Sequence, residues 1–473
     1  MYTASMNLKI VFLCFLLIGC GGSSITNPAI TLRETGRSQA VHLQAMEMLD
    51  GQVGLQNEQY RDTLHRMLWV PYYTNDARQA ALNRLWKVDR EGVIKTVRQR
   101  LPRIDNWRWI EQLCAWIAAE EVLELDAALI SSWSQVTMRY EEQDRPERQA
   151  LVSMYGEDAL EALVFQSLLT TNKSWQQGFR TRCWELLLRI GARDMLLALL
   201  NGSSIPKDDL FLLDLQRATR ELGIMPQNKE EILWARELCK SEYSDFWNEA
   251  IVALALLDDE RRLSLEMRDV PIAVTVARHW PELATKSTTS LVESLETKIQ
   301  DRKHYFEYEG GGNVSTLNEL FRSHKNKLSW GDAVAIRVAL AAMDVPELQA
   351  HFFDYANRDR LDTSTEFGGV IELDKQGRFV ILEFEPIIRT HDRRFDAPQT
   401  MFDAAYTSLF HFHFHAQKYR NGDHAGPGLG DKSYADNTRA NCLVLTFVNS
   451  KTLNVDYYRH GHVVVDLGTM KIN

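Results

Sequence analysis

From about residue 34 to residue 357 apolar positions recur at every third or fourth place, the spacing of helices that bury one face. Asn57–Val70 keeps this spacing and stops at Pro71. Asn75–Val88 opens on the capping pair Asn75 and Asp76 and lines up Ala77, Ala81, Leu82 and Leu85 on one stripe. Asp89 then starts a helix with Val93, Ile94, Val97 and Leu101 inward, and Trp107–Val122 and Asp126–Tyr140 continue the series. Gly310–Gly312 interrupts it before the expected helices Asn313–His324, Trp330–Met343 and Val345–Asn357. After Thr363 the period shortens to that of strands. Glu366–Leu373 and Arg378–Pro386 flank the turn Asp374–Gly377, and Phe402–Leu409 suits a short helix or a strand entry. Phe410–His415 alternates aromatic and imidazole, Lys432–Arg439 is helical, and Cys442–Val448 is apolar throughout. Leu453–Tyr458 and Val463–Leu467 form a last hairpin around His460-Gly461. The fold class expected is multidomain, α plus α/β.

Within the helical stretch, Phe179–Ile190 and Phe246–Leu257 are each followed by a short turn bearing aspartate. A second amphipathic helix comes next, Met195–Leu200 and Arg261–Met267 respectively. This pattern resembles HEAT-like repeats, which stack helix pairs into a solenoid; a plain multi-helix bundle is the alternative. The tryptophans fall mostly on apolar faces and read as packing residues, with Trp107-Arg108-Trp109 an alternative exposed aromatic patch.

The first residues belong to another category. Lys9 precedes the apolar run Ile10–Ile18, too short to span a bilayer, and Leu17-Ile18-Gly19-Cys20 leads into Gly21-Gly22-Ser23-Ser24. This resembles a bacterial lipoprotein signal. The resemblance implies a signal peptide over 1–20 with Cys20 lipidated, a tether over 21–33, and an outer-membrane anchor facing the periplasm. An ordinary secretory signal is the alternative. The expected order is then a helical region, 34–357, and a C-terminal domain, 363–473. The net charge of -10 excludes a phosphate-binding surface as the main function, so no nucleic-acid partner is expected. Cys114, Cys183, Cys239 and Cys442 stand far apart in apolar surroundings and read as buried thiols.

The candidate chemistry lies in Phe410–Asp431. On a strand, His411, His413 and His415 share one face and the phenylalanines the other. Imidazoles two residues apart converge on one metal ion, and a carboxylate at the start of the next helix supplies a third ligand. Asp431 follows the turn Gly426-Pro427-Gly428-Leu429-Gly430 at the right place, while Asp436 stands too close to the next strand. His411 is a spare ligand on the same face, and a register shift to the pair His411/His413 is the alternative.

Glu366, His413-Phe414-His415 and Pro427-Gly428-Leu429-Gly430-Asp431 resemble the metal site of the JAB/MPN (JAMM) metallopeptidase-like family. The resemblance covers roughly Thr363–Gly468. It implies a mixed sheet with flanking helices and Zn2+ on His413, His415 and Asp431. It also implies Glu366 as catalytic base in hydrolysis of an amide or isopeptide bond in a peptide or protein substrate. The family's serine position is occupied by Gly428, and Ala416 stands where a proline is usual. A non-catalytic interaction scaffold with a degenerate domain of this kind is the rival expectation.

Overall fold

A computed structural model describes residues 25–170, 177–308 and 319–472. The signal segment with Cys20, Trp175, Gly310–Gly312 and the beginning of the helix expected at 313–324 lie outside the described residues. The chain divides into two compact units, one ending at Leu160 and one running from Glu161.

The first unit is helical. Pro28–Arg33, expected as tether, is a short helix with Asn27 as its cap. Asn75–Val88 has the expected bounds, but its cap is Thr74, one residue earlier, whose hydroxyl accepts from Ala77 N–H. Asp89 caps Arg90–Arg100 through Gly92 N–H at 3.0 Å. Trp109, Leu113 and Ile117 of Trp107–Ala119 are buried, and the Trp109 indole donates to Leu68 O at 2.7 Å. Trp109 is therefore a core residue rather than part of an exposed patch.

The second unit joins helices and a sheet around one core. Here α1 (Trp330–Met343) is apolar on nearly every side, and α2 (Pro346–Leu361) follows it. The strands are β1 (Gly368–Leu373), β2 (Phe379–Phe384), β3 (Phe410–His415), β4 (Cys442–Asn449), β5 (Thr452–Arg459) and β6 (Val463–Lys471). Short helix α3 (Gln399–Ala405) precedes β3, and α4 (Leu429–Thr438) lies between β3 and β4. The sheet order is β2-β1-β3-β4-β5-β6. All neighbours are antiparallel except β3 and β4, which are parallel, as the intervening crossover with α4 permits.

Alternation sorts the side chains. Phe410, Phe412 and Phe414, with Leu443, Leu445, Phe447, Val455 and Tyr457, enter a core shared with α1, α2 and helices from Ala218 onward. Phe352 of α2 meets the Phe412 ring edge-on at 5.2 Å, and Tyr355 meets Phe414 at 5.4 Å. The change of period near residues 357–363 thus marks a change of secondary structure inside one core. β1 crosses close to its neighbours because it begins with glycines: a Cβ on Gly369 would stand 2.1 Å from Leu382 O.

A charged network ties helix to sheet beneath this core. Arg268 donates to Asp332 at 2.9 Å and to Asn441 at 2.6 Å, while Arg459 of β5 donates to both Asp332 oxygens at 2.8 Å. Burial opposes ionisation of Asp332, but the Arg268 and Arg459 guanidinium groups outweigh it and bring its pKa down to about 2.

Candidate metal centre

The outer face of β3 carries the histidines. β1 pairs with β3 so that Gly368 faces His413 and Val370 faces His411. The ladder continues past the end of β1, with Phe414 N–H donating to Phe367 O at 3.1 Å. That continuation sets Glu366 opposite His415. Directly opposed residues of an antiparallel pair point to the same face, so the carboxylate of Glu366 and the imidazoles of His413 and His415 meet. Their ligand atoms all lie within 4.8 Å of one another.

Asp431 arrives from the other side of the crossover. Gly428 is the N-cap of α4, and its N–H donates to Asp431 Oδ2 at 2.7 Å. This holds the carboxylate at the helix N-terminus, where the helix dipole favours negative charge. From there Asp431 Oδ1 is 3.3 Å from His413 Nε2, and Oδ2 is 3.5 Å from His415 Nε2. The two Nε2 atoms are 3.3 Å apart. Zinc bonds of about 2.0–2.1 Å at tetrahedral angles set neighbouring ligand atoms roughly 3.3–3.4 Å apart. The two Nε2 atoms therefore have the spacing of two corners of a zinc tetrahedron, and each faces a different oxygen of the Asp431 carboxylate.

The hydrogen bonds behind them fix the same sense. His415 Nδ1 is 2.7 Å from His424 O. A carbonyl oxygen only accepts, so Nδ1 carries a proton, and Nε2 is the nitrogen turned toward Asp431. His413 Nδ1 has the Tyr458 hydroxyl at 3.5 Å behind it. Burial pulls the His413 pKa down, but the charge of Asp431, and then that of Glu366, outweighs it and the net shift is upward. Burial likewise opposes ionisation of Asp431, yet His413 and His415 hold its carboxyl far below the ordinary range. The donor set is thus an ionised carboxylate and two imidazoles with converging nitrogens, and it fits zinc.

Glu366 is buried, with its carboxylate within 4.8 Å of both imidazole nitrogens. Its Oε1 accepts from Gln417 Nε2 at 3.0 Å, and its own N–H donates to Arg394 O at 3.1 Å. Gln417 is a residue the sequence reading passed over; it is itself held through Asn421 Nδ2 at 2.7 Å. Glu366, His413 and Asp431 border a pocket of about 600 Å³, walled by Met401, Phe402 and the 393–397 loop.

His411 lines the same pocket but is not in the ligand cluster. Its Nδ1 is 2.7 Å from the Tyr434 hydroxyl and its Nε2 is buried with no partner. Burial pushes its pKa down to about 4, so the ring is neutral. Asp436 is engaged elsewhere, accepting from Gly461 N–H at 3.0 Å. Ser433 is exposed and takes Asn437 Nδ2 at 3.4 Å, so it does not replace the serine absent at Gly428. Gly430 borders the pocket. A Cβ at Gly428 would stand 3.5 Å from Asp431 Oδ2, an ordinary contact.

No family model matches the chain, and neither the curated proteins nor the solved structures include a significant match to it.

Proposed function

We infer that the C-terminal part of the second unit is a zinc-dependent hydrolase of amide or isopeptide bonds, resembling the JAB/MPN family in its site. The observation that carries this reading is the pair His413 Nε2 and His415 Nε2, 3.3 Å apart, with Asp431 Oδ1 3.3 Å from the first and Oδ2 3.5 Å from the second, and with Glu366 within 4.8 Å of both histidines. Zinc held there supplies a Lewis acid and a water of near-neutral pKa. Glu366 takes a proton from the attacking water and delivers it to the leaving amine, so that one amide and one water become a carboxylate and an amine. Gln417 keeps the Glu366 carboxylate turned toward the site. The pocket wall of Met401 and Phe402 excludes water from the reacting bond, and the exposed Arg393 gives its rim a positive charge.

The helical region, HEAT-like in its sequence, is in this reading the surface for the peptide or protein substrate or for a partner. Cys20 anchors the chain by lipid to the bacterial outer membrane on its periplasmic side. Labelled fatty acid incorporated by the whole protein and lost on Cys20→Ala tests the anchor; equal labelling of both overturns it.

The site is tested by the zinc content of the purified chain beginning after Cys20, beside a His413→Ala/His415→Ala variant. One zinc per chain, absent from the variant, supports the reading and justifies a screen of amide substrates with a Glu366→Gln control. No zinc in either protein after zinc is supplied overturns it. The rival reading, a non-catalytic interaction scaffold, is favoured by one specific residue, Gly428, which offers no hydroxyl to a tetrahedral intermediate. Zinc without turnover in that screen would decide for the scaffold.

A further inference from the structure

The outer face of the sheet holds a second polar cluster, separate in residues from the histidine site. Thr446 of β4 faces Asn454 of β5, and Asp456 of β5 faces Asp466 of β6. All four side chains are buried. They lie on the same outer face as His411 and His413, away from the phenylalanine core.

The charges do not balance. His304 has Nδ1 2.7 Å from Asp466 Oδ2 and Nε2 3.1 Å from Ile299 O. Both ring nitrogens thus meet acceptors, which requires both protons and a cationic ring. His304 and Asp466 therefore form a closed ion pair, and Gly468 N–H takes the remaining Asp466 oxygen at 2.8 Å. Asp456 has no such partner. Its Oδ2 accepts from Gly426 N–H at 3.1 Å and from Asn454 Nδ2 at 2.9 Å, while its Oδ1 is buried with nothing to bond. Glu319 closes the cluster: a Cβ on Gly426 would stand 2.3 Å from Glu319 Oε1, so this carboxylate lies directly against the Gly426 backbone that bonds Asp456.

The decisive atoms are not acidic. Asn454 Oδ1 and Thr446 Oγ1 are also buried and without partners. Asn454 places its other amide atom on Asp456, so its free oxygen belongs to the same cluster, and Thr446 is its cross-strand neighbour. Buried polar atoms without partners are rare, and three on adjacent positions of one sheet face demand a common explanation. All three are oxygens, and among the described residues neither Asp456 nor Glu319 is in an ion pair, though Glu319 Oε2 accepts from the Tyr305 hydroxyl at 3.4 Å. Burial first, and then the charges of Asp466 and Glu319, push Asp456 well above the ordinary range. Burial and Asp466 bring Glu319 up to about 7, against the opposing charge of Lys432.

We propose that Thr446, Asn454, Asp456 and Glu319 form a buried oxygen-only site for a hard divalent cation, calcium. Oxygen donors without nitrogen or sulfur select calcium or magnesium over zinc. Carboxamide, hydroxyl and carboxylate oxygens supplied by the protein itself favour calcium of these two, since magnesium keeps several of its waters. One doubly charged ion would match the two unbalanced carboxylates and give each orphan oxygen its partner. The ion would brace β4, β5 and the Gly426 turn that leads into Asp431, and so would act on the histidine site through the backbone.

The test uses the whole soluble chain, stripped with chelator, and follows thermal melting and terbium luminescence under calcium titration. Calcium is expected to raise Tm and to displace terbium. Asp456→Asn should abolish the response, weakening binding at least ~10²-fold, while Thr446→Val, which keeps shape and removes one oxygen, should weaken it about tenfold. Asp456→Asn should melt higher than the parent when both are free of metal, because it relieves buried repulsion. Should Asp456→Asn fail to fold, Thr446→Val decides. His413→Ala/His415→Ala should keep the calcium response in full, so that loss of the zinc reading and loss of this one are told apart. No response at millimolar calcium, a response to magnesium alone, or a response that survives Asp456→Asn and Thr446→Val overturns the proposal.

Discussion

Nε2 of His413 lies 3.3 Å from Nε2 of His415, and neither nitrogen has another protein partner nearer than the Asp431 carboxylate. In the proposed reading a cation held between the two nitrogens and the Asp431 carboxylate occupies that gap. Asp431 is a helix cap and, in the proposed reading, a ligand, and the two roles separate by substitution. Asp431→Asn keeps an oxygen for Gly428 N–H but loses the charge that holds the metal. It is expected to lower zinc affinity by about 10–100-fold with little change in Tm. Competition against a chromogenic chelator measures the affinity, and unaltered affinity would remove Asp431 from the ligand set.

Glu366→Gln is expected to leave one zinc per chain and to lower turnover of any amide substrate by about 10²–10⁴-fold. Gln417→Leu removes the hydrogen bond on Glu366 Oε1 and should give a smaller loss, concentrated in kcat. Metal analysis alongside the rate separates these effects from loss of the ion.

Gly428→Ser restores a hydroxyl at the N-cap of α4. Space permits it, since the nearest atom to the new Cβ is Asp431 Oδ2 at 3.5 Å. A serine cap is worth a few tenths of a kcal/mol over glycine, so the variant should fold at least as well. If a missing oxyanion donor limits the enzyme, turnover should rise by up to about 10²-fold. A rate that does not move would show that a hydroxyl at this position contributes nothing to the reaction.

Asp332→Ala would remove the anion that Arg268 and Arg459 share, leaving Arg268 with Glu266 at 2.8 Å and Asp269 at 3.7 Å, a loss of about 3 kcal/mol. Its pH dependence has a definite sign. The folded pKa, about 2, lies below the ordinary 3.8, so this stabilisation is present above pH 3.8 and is lost as pH falls toward 2. Urea midpoints of parent and Asp332→Asn should therefore converge on acidification through that window. A constant gap would assign the stabilisation to packing.

Alternation made β3 readable: His-Phe-His-Phe-His has period two, and its two faces went where chemistry sends them. Trp330–Met343 was readable because Ser329, Asp332 and the apolar run mark its ends. Tertiary relations were harder. Nothing local to Arg268 indicates that its partners are Asp332 and Asn441, or that Arg459 meets the same carboxylate from β5. Alternation in the last hairpin gives no sign that Asp456 and Asp466 are buried, yet both are, with Gly426 N–H on Asp456 and the His304 ring on Asp466. The last strand was expected over Val463–Leu467, and it runs on to Lys471. Gly468 sits within the strand at φ +84°, where a side chain would collide with Arg302 Cβ at 2.8 Å. His411 has the right face but the wrong height: Tyr434 takes it, and the ligand pair forms further along β3 toward the Glu366 end.

The alternation in β3 has a consequence for fidelity of assembly. Slipping β3 by one residue against β1 and β4 would drive three imidazoles into the apolar core and turn three phenylalanines toward Asp431. No intermediate arrangement keeps either face content, so the pairing is all-or-none. Errors in strand alignment are thus removed as folding errors before they can appear as a half-built metal site.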